Sequence, residues 1–428
     1  MATGTLRRVL ATAGNPDCGR LGHGLIKGDV EFPLVVKGLL GLQPTQVSAG
    51  GAHTAVVTAD GTVLTFGLNN HFQLGHSIDQ EQVHIPLEVP LPEPAIAVAA
   101  GNFHTLCLTE SGHIWAWGRN KKGELGLGSD IDSSDTPRLV AALKNEKISA
   151  IAAGAEHSLA VSSTGEVYSW GCSDSGRLGH AATSTLSTSR WSAIGRKNEH
   201  KPRLIRSLET QNVVGISAGH MHSGCVTEEG RALLFGSGRF HQLGRKFDHD
   251  ALTPVELQIP RAVWNVACGG THSLAITEGG VVASWGAEQN GCLGRSKVGG
   301  NSSGGAGGDM RLPEPVPGVL GAEQIAAGWK HSAAIVSGGK LMTWGWGGSQ
   351  GTAFSVENGG GGGGQLCLGN DFDYWQPRTV THLATGPGGG GGVPQFGAGG
   401  HQLWRAVQVS CGMNHTAMVF EVESEVPL

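Results

Sequence analysis

One segment, repeated seven times, limits what this chain can fold into more than any other feature. It reads VSAGGAHTAVVT from Val47, VAAGNFHTLCLT from Val98, IAAGAEHSLAVS from Ile151, ISAGHMHSGCVT from Ile216, VACGGTHSLAIT from Val266, IAAGWKHSAAIV from Ile325 and VSCGMNHTAMVF from Val409. Self-similarity of this kind marks a repeat architecture, in which each unit cannot bury its apolar face alone and stacks on its neighbours. The equivalent glycines Gly50, Gly101, Gly154, Gly219, Gly269, Gly328 and Gly412 lie 51, 53, 65, 50, 59 and 84 residues apart. The unit is therefore about 50 residues, and the excess is insertion.

Each of the first six segments runs through a glycine turn, such as Ala59 to Gly61 or Thr164-Gly165, into an alternating apolar strand. Those strands end at Phe66-Gly67, Trp117-Gly118, Trp170-Gly171, Phe235-Gly236, Trp285-Gly286 and Trp344-Gly345. This is hairpin grammar: glycine supplies the positive φ of the turn and period-2 residues face a core. A loop closing on Leu-Gly follows each (Leu74-Gly75, Leu125-Gly126, Leu178-Gly179, Leu243-Gly244, Leu293-Gly294, Leu368-Gly369), and then a proline-containing strand. Four short strands per unit predict an all-β, seven-bladed β-propeller.

A radial repeat explains how 428 residues form one domain spanning 1–428, although single cores seldom grow beyond roughly 250 to 300 residues. Insertions are expected at about 180–200, 295–310, 346–364 and 384–402. The seventh segment stops at Phe420 without a W-G strand or Leu-Gly loop, whereas the chain opens with a strand, Arg7 to Ala13, followed by a loop carrying Leu21-Gly22. Pairing the N-terminal and C-terminal strands completes the last blade and removes exposed sheet edges.

These motifs, A-G-x-x-H-[ST], the W-G strand end and the G-x-L-G loop, resemble those of the regulator of chromosome condensation repeat family across nearly the whole chain. The resemblance implies the propeller fold directly. It implies several functions: exchange factor for the small GTPase Ran, plant UV-B photoreceptor, or interaction module in ciliary, mitochondrial and ubiquitin-ligase proteins.

Charge and cysteine content narrow the setting. Thirty Lys+Arg against 35 Asp+Glu leave a formal charge of -5, so no global pull toward nucleic acid or anionic membrane exists. Eight scattered cysteines without a C-x-x-C pair read as reduced thiols. No run approaches the roughly 18 apolar residues of a spanning helix, and no apolar h-region follows Met1. An intracellular protein, cytoplasmic or nuclear, is expected, with the sequons at Asn301 and Asn414 idle. The start, MATGTLRRVLATAG, weakly resembles a mitochondrial transit peptide, but the same residues are required as a strand.

Candidate chemistry is sparse. His53, His104, His157, His222, His272, His331 and His415 sit on seven different blades. They have no shared metal-ligand spacing and read as structural repeat markers bonded to backbone between blades. The glycine runs 359–364 and 388–392 lack the strand–loop–helix context and G-K-[ST] end of a phosphate cradle. No nucleophile elbow, zinc-protease motif or Walker sequence occurs. Neither enzyme activity, nor a cofactor, nor a metal is expected. The insertion after Gly179 stands out, carrying Arg190, Trp191, Arg196, Lys197, Lys201, Arg203 and Arg206 against Glu199. Arginine beside tryptophan is the composition of an interface hot spot or polyanion contact. Those residues are the candidate partner-binding site, and the basic loop at 180–206 is the one place where nucleic acid would be engaged.

Three functions are therefore weighed. In the Ran exchange factor a wedge is formed by an enlarged hairpin of a central blade; here the third repeat reads WGCSDSGRLGH from Trp170, with no enlargement, and only the sixth is enlarged, with glycines. A photoreceptor requires a face cluster of tryptophans in G-W-R-H-T segments, approximated only by Gly328-Trp329-Lys330-His331-Ser332. The expected function is a non-catalytic scaffold or adaptor for a protein partner, a small GTPase or a larger assembly. Exchange factor for a Ran-like GTPase is the alternative.

Overall fold

A computed structural model describes residues 6–25, 28–181, 197–246, 248–295, 310–348, 363–386, 392–397 and 400–428. Seven four-stranded antiparallel sheets stand around a central axis, joined by a two-stranded ribbon of His382–Leu383 and Val393–Pro394. Blade 1 is typical, with an inner strand Pro44–Ala49, a second strand His53–Thr58, a third strand Val63–Leu68 and an outer strand Gln82–Glu88. In blade 7 the inner and second strands are Trp404–Cys411 and His415–Glu423. Its third and outer strands are Leu6–Gly14 and Val30–Val35, from the other end of the chain. The closure runs in unbroken register from Leu6 opposite Glu423 to Gly14 opposite His415.

The repeated residues are explained by what they meet at the seams between blades. The aromatic side chain that ends each third strand lies against the preceding blade: Phe66, Trp117, Trp170, Phe235, Trp285 and Trp344 are fully buried in six separate apolar clusters. Each sits on the glycine of the preceding Leu-Gly loop. A Cβ on Gly75 would lie 2.9 Å from the Trp117 indole, and its φ of +76° already excludes most side chains. The W-G and L-G motifs are thus two halves of one contact made between neighbouring units. At the seam between blades 6 and 7 the aromatic position is Ala13, and Met418, Phe420 and Trp404 fill that cluster instead.

The glycine and histidine of A-G-x-x-H form a second seam. A Cβ on Gly154 would lie 2.3 Å from His157 Cε1 and 2.5 Å from the carbonyl of Gly219 in the next blade, so only hydrogen fits. Each histidine Nε2 lies 2.8–3.0 Å from a hydroxyl of the following blade: His53 with Thr105, His104 with Ser158, His157 with Ser223, His222 with Ser273, His272 with Ser332, His331 with Thr416, and His415 with Thr54. The partner is a side chain rather than the backbone group expected from sequence. All seven hydroxyls donate onward to backbone carbonyls at 2.7–2.8 Å, for example Ser273 to Gln242 O. A hydroxyl has one proton to give, so Nε2 must be the donor and each imidazole is the neutral Nε2–H tautomer.

The axial channel, a cavity of about 300 Å³, is lined by the inner strands. Its seams are unequal. Gln408 and Ser410 accept from the N–H groups of Val47 and Ala49, and Gln46 and Ser48 from those of Val98 and Ala100, so both flanks of blade 1 carry two such bonds, whereas Ser217 accepts from Cys268 and Gln324 from Val409 as single bonds at two other seams.

Candidate interaction face

Strand direction sorts the loops. The connections from inner to second strand and from third to outer strand share one end of the propeller, here the connection face. The tight turns from second to third strand share the other, the turn face. In chain order, three of the four insertions expected from sequence, at about 180–200, 295–310 and 346–364, fall in the third-to-outer connections of blades 3, 5 and 6, and the fourth, at about 384–402, falls in the outer-to-inner connection between blades 6 and 7. The third-to-outer connections in blades 1 and 4, and the approach to the outer strand of blade 6, expose Phe72, Phe240 and Phe372.

Among the described residues, two cation–aromatic groups stand on this face. In the first, the Arg119 guanidinium lies 4.6 Å over the Phe103 ring, against which His71 packs edge-on at 4.8 Å. Arg119 also bonds the fully buried Glu124 at 2.9 Å and Glu156 of blade 3 at 2.8 Å. Glu156 faces Arg177 at 3.9 Å, and Arg177 donates to His220 O of blade 4. This chain ties blades 2, 3 and 4, so both arginines are committed within the molecule. Burial pushes the Glu124 carboxyl above its usual range, partly offset by the Lys122 N–H and by Arg119.

In the second group Lys330 Nζ lies 4.6 Å over Trp329 and 5.5 Å over Trp346, whose rings meet edge-on at 6.1 Å. Burial pushes the Lys330 ammonium below its usual range, with Asp373 acting in the opposite direction. Asp373 is itself held by Asn290 Nδ2 and the Gly347 N–H. The pair supplies one lysine, not the interleaved arginines of the photoreceptor pattern. Trp117, Trp170, Trp285, Trp344 and Trp404 are fully buried packing residues.

Of the predicted partner-binding residues, Arg190, Trp191 and Arg196 lie outside the described residues. Lys197 and Lys201 are exposed where the chain re-enters blade 3. Arg203, on the outer strand Glu199–Leu204, pairs with Glu199 at 2.7 Å, and Arg206 opens the following turn. Sequence reading missed Arg119, Phe103 and the exposed phenylalanines, although the recurrence of Phe in three connections was a usable signal. Between Gly171 and Gly179 blade 3 makes only a tight turn, Asp174–Gly176, with Ser175 at φ +59°. No group of three or more His, Cys, Asp or Glu able to hold a metal occurs among the described residues. None of the eight cysteines is in a disulfide. No helix among the described residues is long and apolar enough to cross a membrane.

Residues 9–418 match the family model for the RCC1-like domain. The chain is 35% identical over 283 residues to the ultraviolet-B receptor UVR8 of Arabidopsis thaliana, covering 65% of this chain and 60% of the receptor. It is 30% identical over 354 residues to the mouse E3 ubiquitin-protein ligase HERC2, covering 80% of this chain but 7% of the ligase. It is 30% identical over 361 residues to the secretion-regulating guanine nucleotide exchange factor of Bos taurus, covering 79% of this chain and 71% of that protein. On the extent of the family-model match, this chain belongs to the RCC1-like domain family.

Proposed function

We propose that the chain is a non-catalytic interaction module that docks a protein partner on its connection face. The observation that carries this reading is what one end of a regular ring presents on its described connections: three exposed phenylalanines, Phe72, Phe240 and Phe372, and the Lys330–Trp329 pair. Binding residues are found disproportionately on loops held by a rigid scaffold, and solvent-exposed aromatics near cations are the anchors interfaces use. Capture of partners from native extract by the wild type and by a variant with Arg190, Trp191 and Arg196 all changed to alanine tests the contribution of the 180–206 loop. Loss of a partner is expected; an identical set of partners removes that loop. The same comparison with Phe240→Ala and Phe372→Ala tests the rest of the face.

A second reading, regulation of a small GTPase by nucleotide exchange, draws on the exchange-factor relative. Exchange needs the partner's phosphate and metal site to be perturbed, not chemistry on this chain. The tight turn of blade 3 supplies no wedge at the place the resemblance implies. Release of labelled nucleotide from a panel of small GTPases separates the readings: acceleration supports exchange, and binding without acceleration supports an adaptor.

A further inference from the structure

The turn face carries a feature that blade construction does not account for. In blade 7, whose second and third strands no tight turn joins, the bulge residue is Val407, half-buried against the neighbouring core; each inner strand of blades 1 to 6 likewise begins with a one-residue bulge. The extra residue is Thr45, Ile96, Ser149, Val214, Trp264 or Glu323, each at a register shift against the second strand. In blades 1 and 3 the side chain serves the sheet: Thr45 Oγ1 donates to Val57 O and Ser149 Oγ to Val161 O, both at 3.1 Å. In blades 2, 4 and 5 the residue is large and apolar and remains in solvent, with Ile96 48% exposed, Val214 57% and Trp264 70%. A bulge inserts a residue that the ladder does not use and turns its side chain away from the pleat.

A second difference follows the first, blade for blade. The residue that enters the neighbouring tight turn is exposed Glu110, Glu228 or Glu278 in the three blades with an apolar bulge. It is Ala59, Ser163 or Ser337 in the others. In all six blades the backbone N–H of this turn residue donates to the carbonyl two residues before the bulge residue, for example Glu110 to Pro94 and Ala59 to Gln43, and the Glu228 carboxylate also accepts from Asn212 Nδ2 at 2.6 Å. At blade 5 the Gly321 Cα approaches the place of a Gly280 Cβ at 2.7 Å, and Leu320, the residue before it, is 70% exposed. Exposed apolar side chains bordered by polar ones mark a binding surface; Lys147, Arg231 and Arg261 stand near these turns, and the glutamate that recurs beside each exposed apolar bulge favours a cationic ligand.

We infer that this arc around the axial mouth of the turn face binds a basic polypeptide segment with bulky apolar side chains between its lysines or arginines. The apolar side chains cover Trp264, Val214 and Ile96, and the cations meet Glu278, Glu228 and Glu110. The site is distinct from the connection face and stands whether or not that face binds a partner.

The test uses the full chain and an array of labelled peptides in which lysine and arginine alternate with leucine and phenylalanine, beside acidic and purely polar basic counterparts. Saturable binding of basic apolar peptides alone is expected. Trp264→Gln should weaken it about tenfold, as loss of an interface tryptophan does. The triple change Glu110→Gln, Glu228→Gln, Glu278→Gln should weaken it and flatten its salt dependence. These positions are exposed, so the variants should melt with the wild type. Absence of binding at millimolar peptide overturns the inference, as does equal affinity of wild type and Trp264→Gln. A dimer of the wild type that Trp264→Gln dissociates, detected by sedimentation, also overturns it by assigning the arc to a second copy.

Discussion

Lowering the pH from 7 to 5 should unfold this propeller through its seven seam histidines. Each is buried and donates from Nε2, while its Nδ1 has no hydrogen-bond partner. A proton added at Nδ1 would therefore be an unsolvated charge between two blades. Burial pushes His53, His104, His222 and His331 down to about 3 and His272 to about 4, and holds His157 and His415 well below the ordinary 6.5. The sign follows from which state binds the proton. Above 6.5 neither state does, and stability is whole. Between 6.5 and about 3 only the unfolded chain does, so stability is lost progressively as pH falls.

At pH 5 the difference is ~2 kcal/mol per histidine, at 1.36 kcal/mol per unit over one and a half units, or ~14 kcal/mol for seven. That matches the whole stability of an ordinary domain, about 5–15 kcal/mol. Urea titrations followed by the fluorescence of the buried tryptophans, repeated from pH 7.5 to 5, give the proton uptake from the slope of stability against pH. Uptake near seven protons is expected at pH 5, about 9–10 kcal/mol per pH unit. His23 and His180, pushed down to about 4 by burial, add to it. Uptake of fewer than about three protons would refute a ring of neutral buried imidazoles, and His222→Gln should lower the count by one.

Removing residues 1–24 takes away the strand Leu6–Gly14 and leaves His415–Glu423 with an open edge; the melting temperature should fall sharply, and an unchanged value would sink the closure argument. Gly154→Ala should cost about 2–4 kcal/mol, because neither the His157 ring nor the Gly219 backbone can withdraw; a cost below about 0.5 kcal/mol in chemical denaturation would show that the seam yields. Ser273→Ala strands the Nε2–H of His222 and should cost about 1–3 kcal/mol, whereas Ser273→Thr keeps the hydroxyl and should cost less.

Fold and site were unequally legible in the sequence. Blade number, strand grammar and the split blade followed from repeated residues, because each repeated residue answers a contact that recurs at every seam. The histidine partner was legible too, in the hydroxyl that directly follows each histidine. Successive strand residues point to opposite faces, so the histidine of one blade and the hydroxyl of the next must look at each other across a seam. Sequence reading placed the bond between blades but assigned it to backbone, because it did not follow the hydroxyl of the next repeat across the seam. Val214 and Trp264 were illegible for a different reason. In VVGISA and VWNVAC they continue an apolar run and read as core; only the bulge shifts the register and turns them to solvent.

That contrast bears on where a repeat protein can acquire function. The glycine, histidine and hydroxyl of A-G-x-x-H-[ST], the aromatic of W-G and the glycine of L-G contact a neighbouring blade, so a change there is paid at a seam and strains the ring. The bulge residue and the connection loops lie outside those contacts. At the bulge position the chain places Thr, Ile, Ser, Val, Trp and Glu in successive blades, although the backbone is the same in each. Variation at a position of constant geometry is not dictated by folding. Its pairing with the turn residue, apolar with glutamate and polar with alanine or serine where the residue is Thr45 or Ser149, needs a cause outside the sheet. A ligand that contacts both positions at once supplies one, because its apolar and basic groups would select the two residues together.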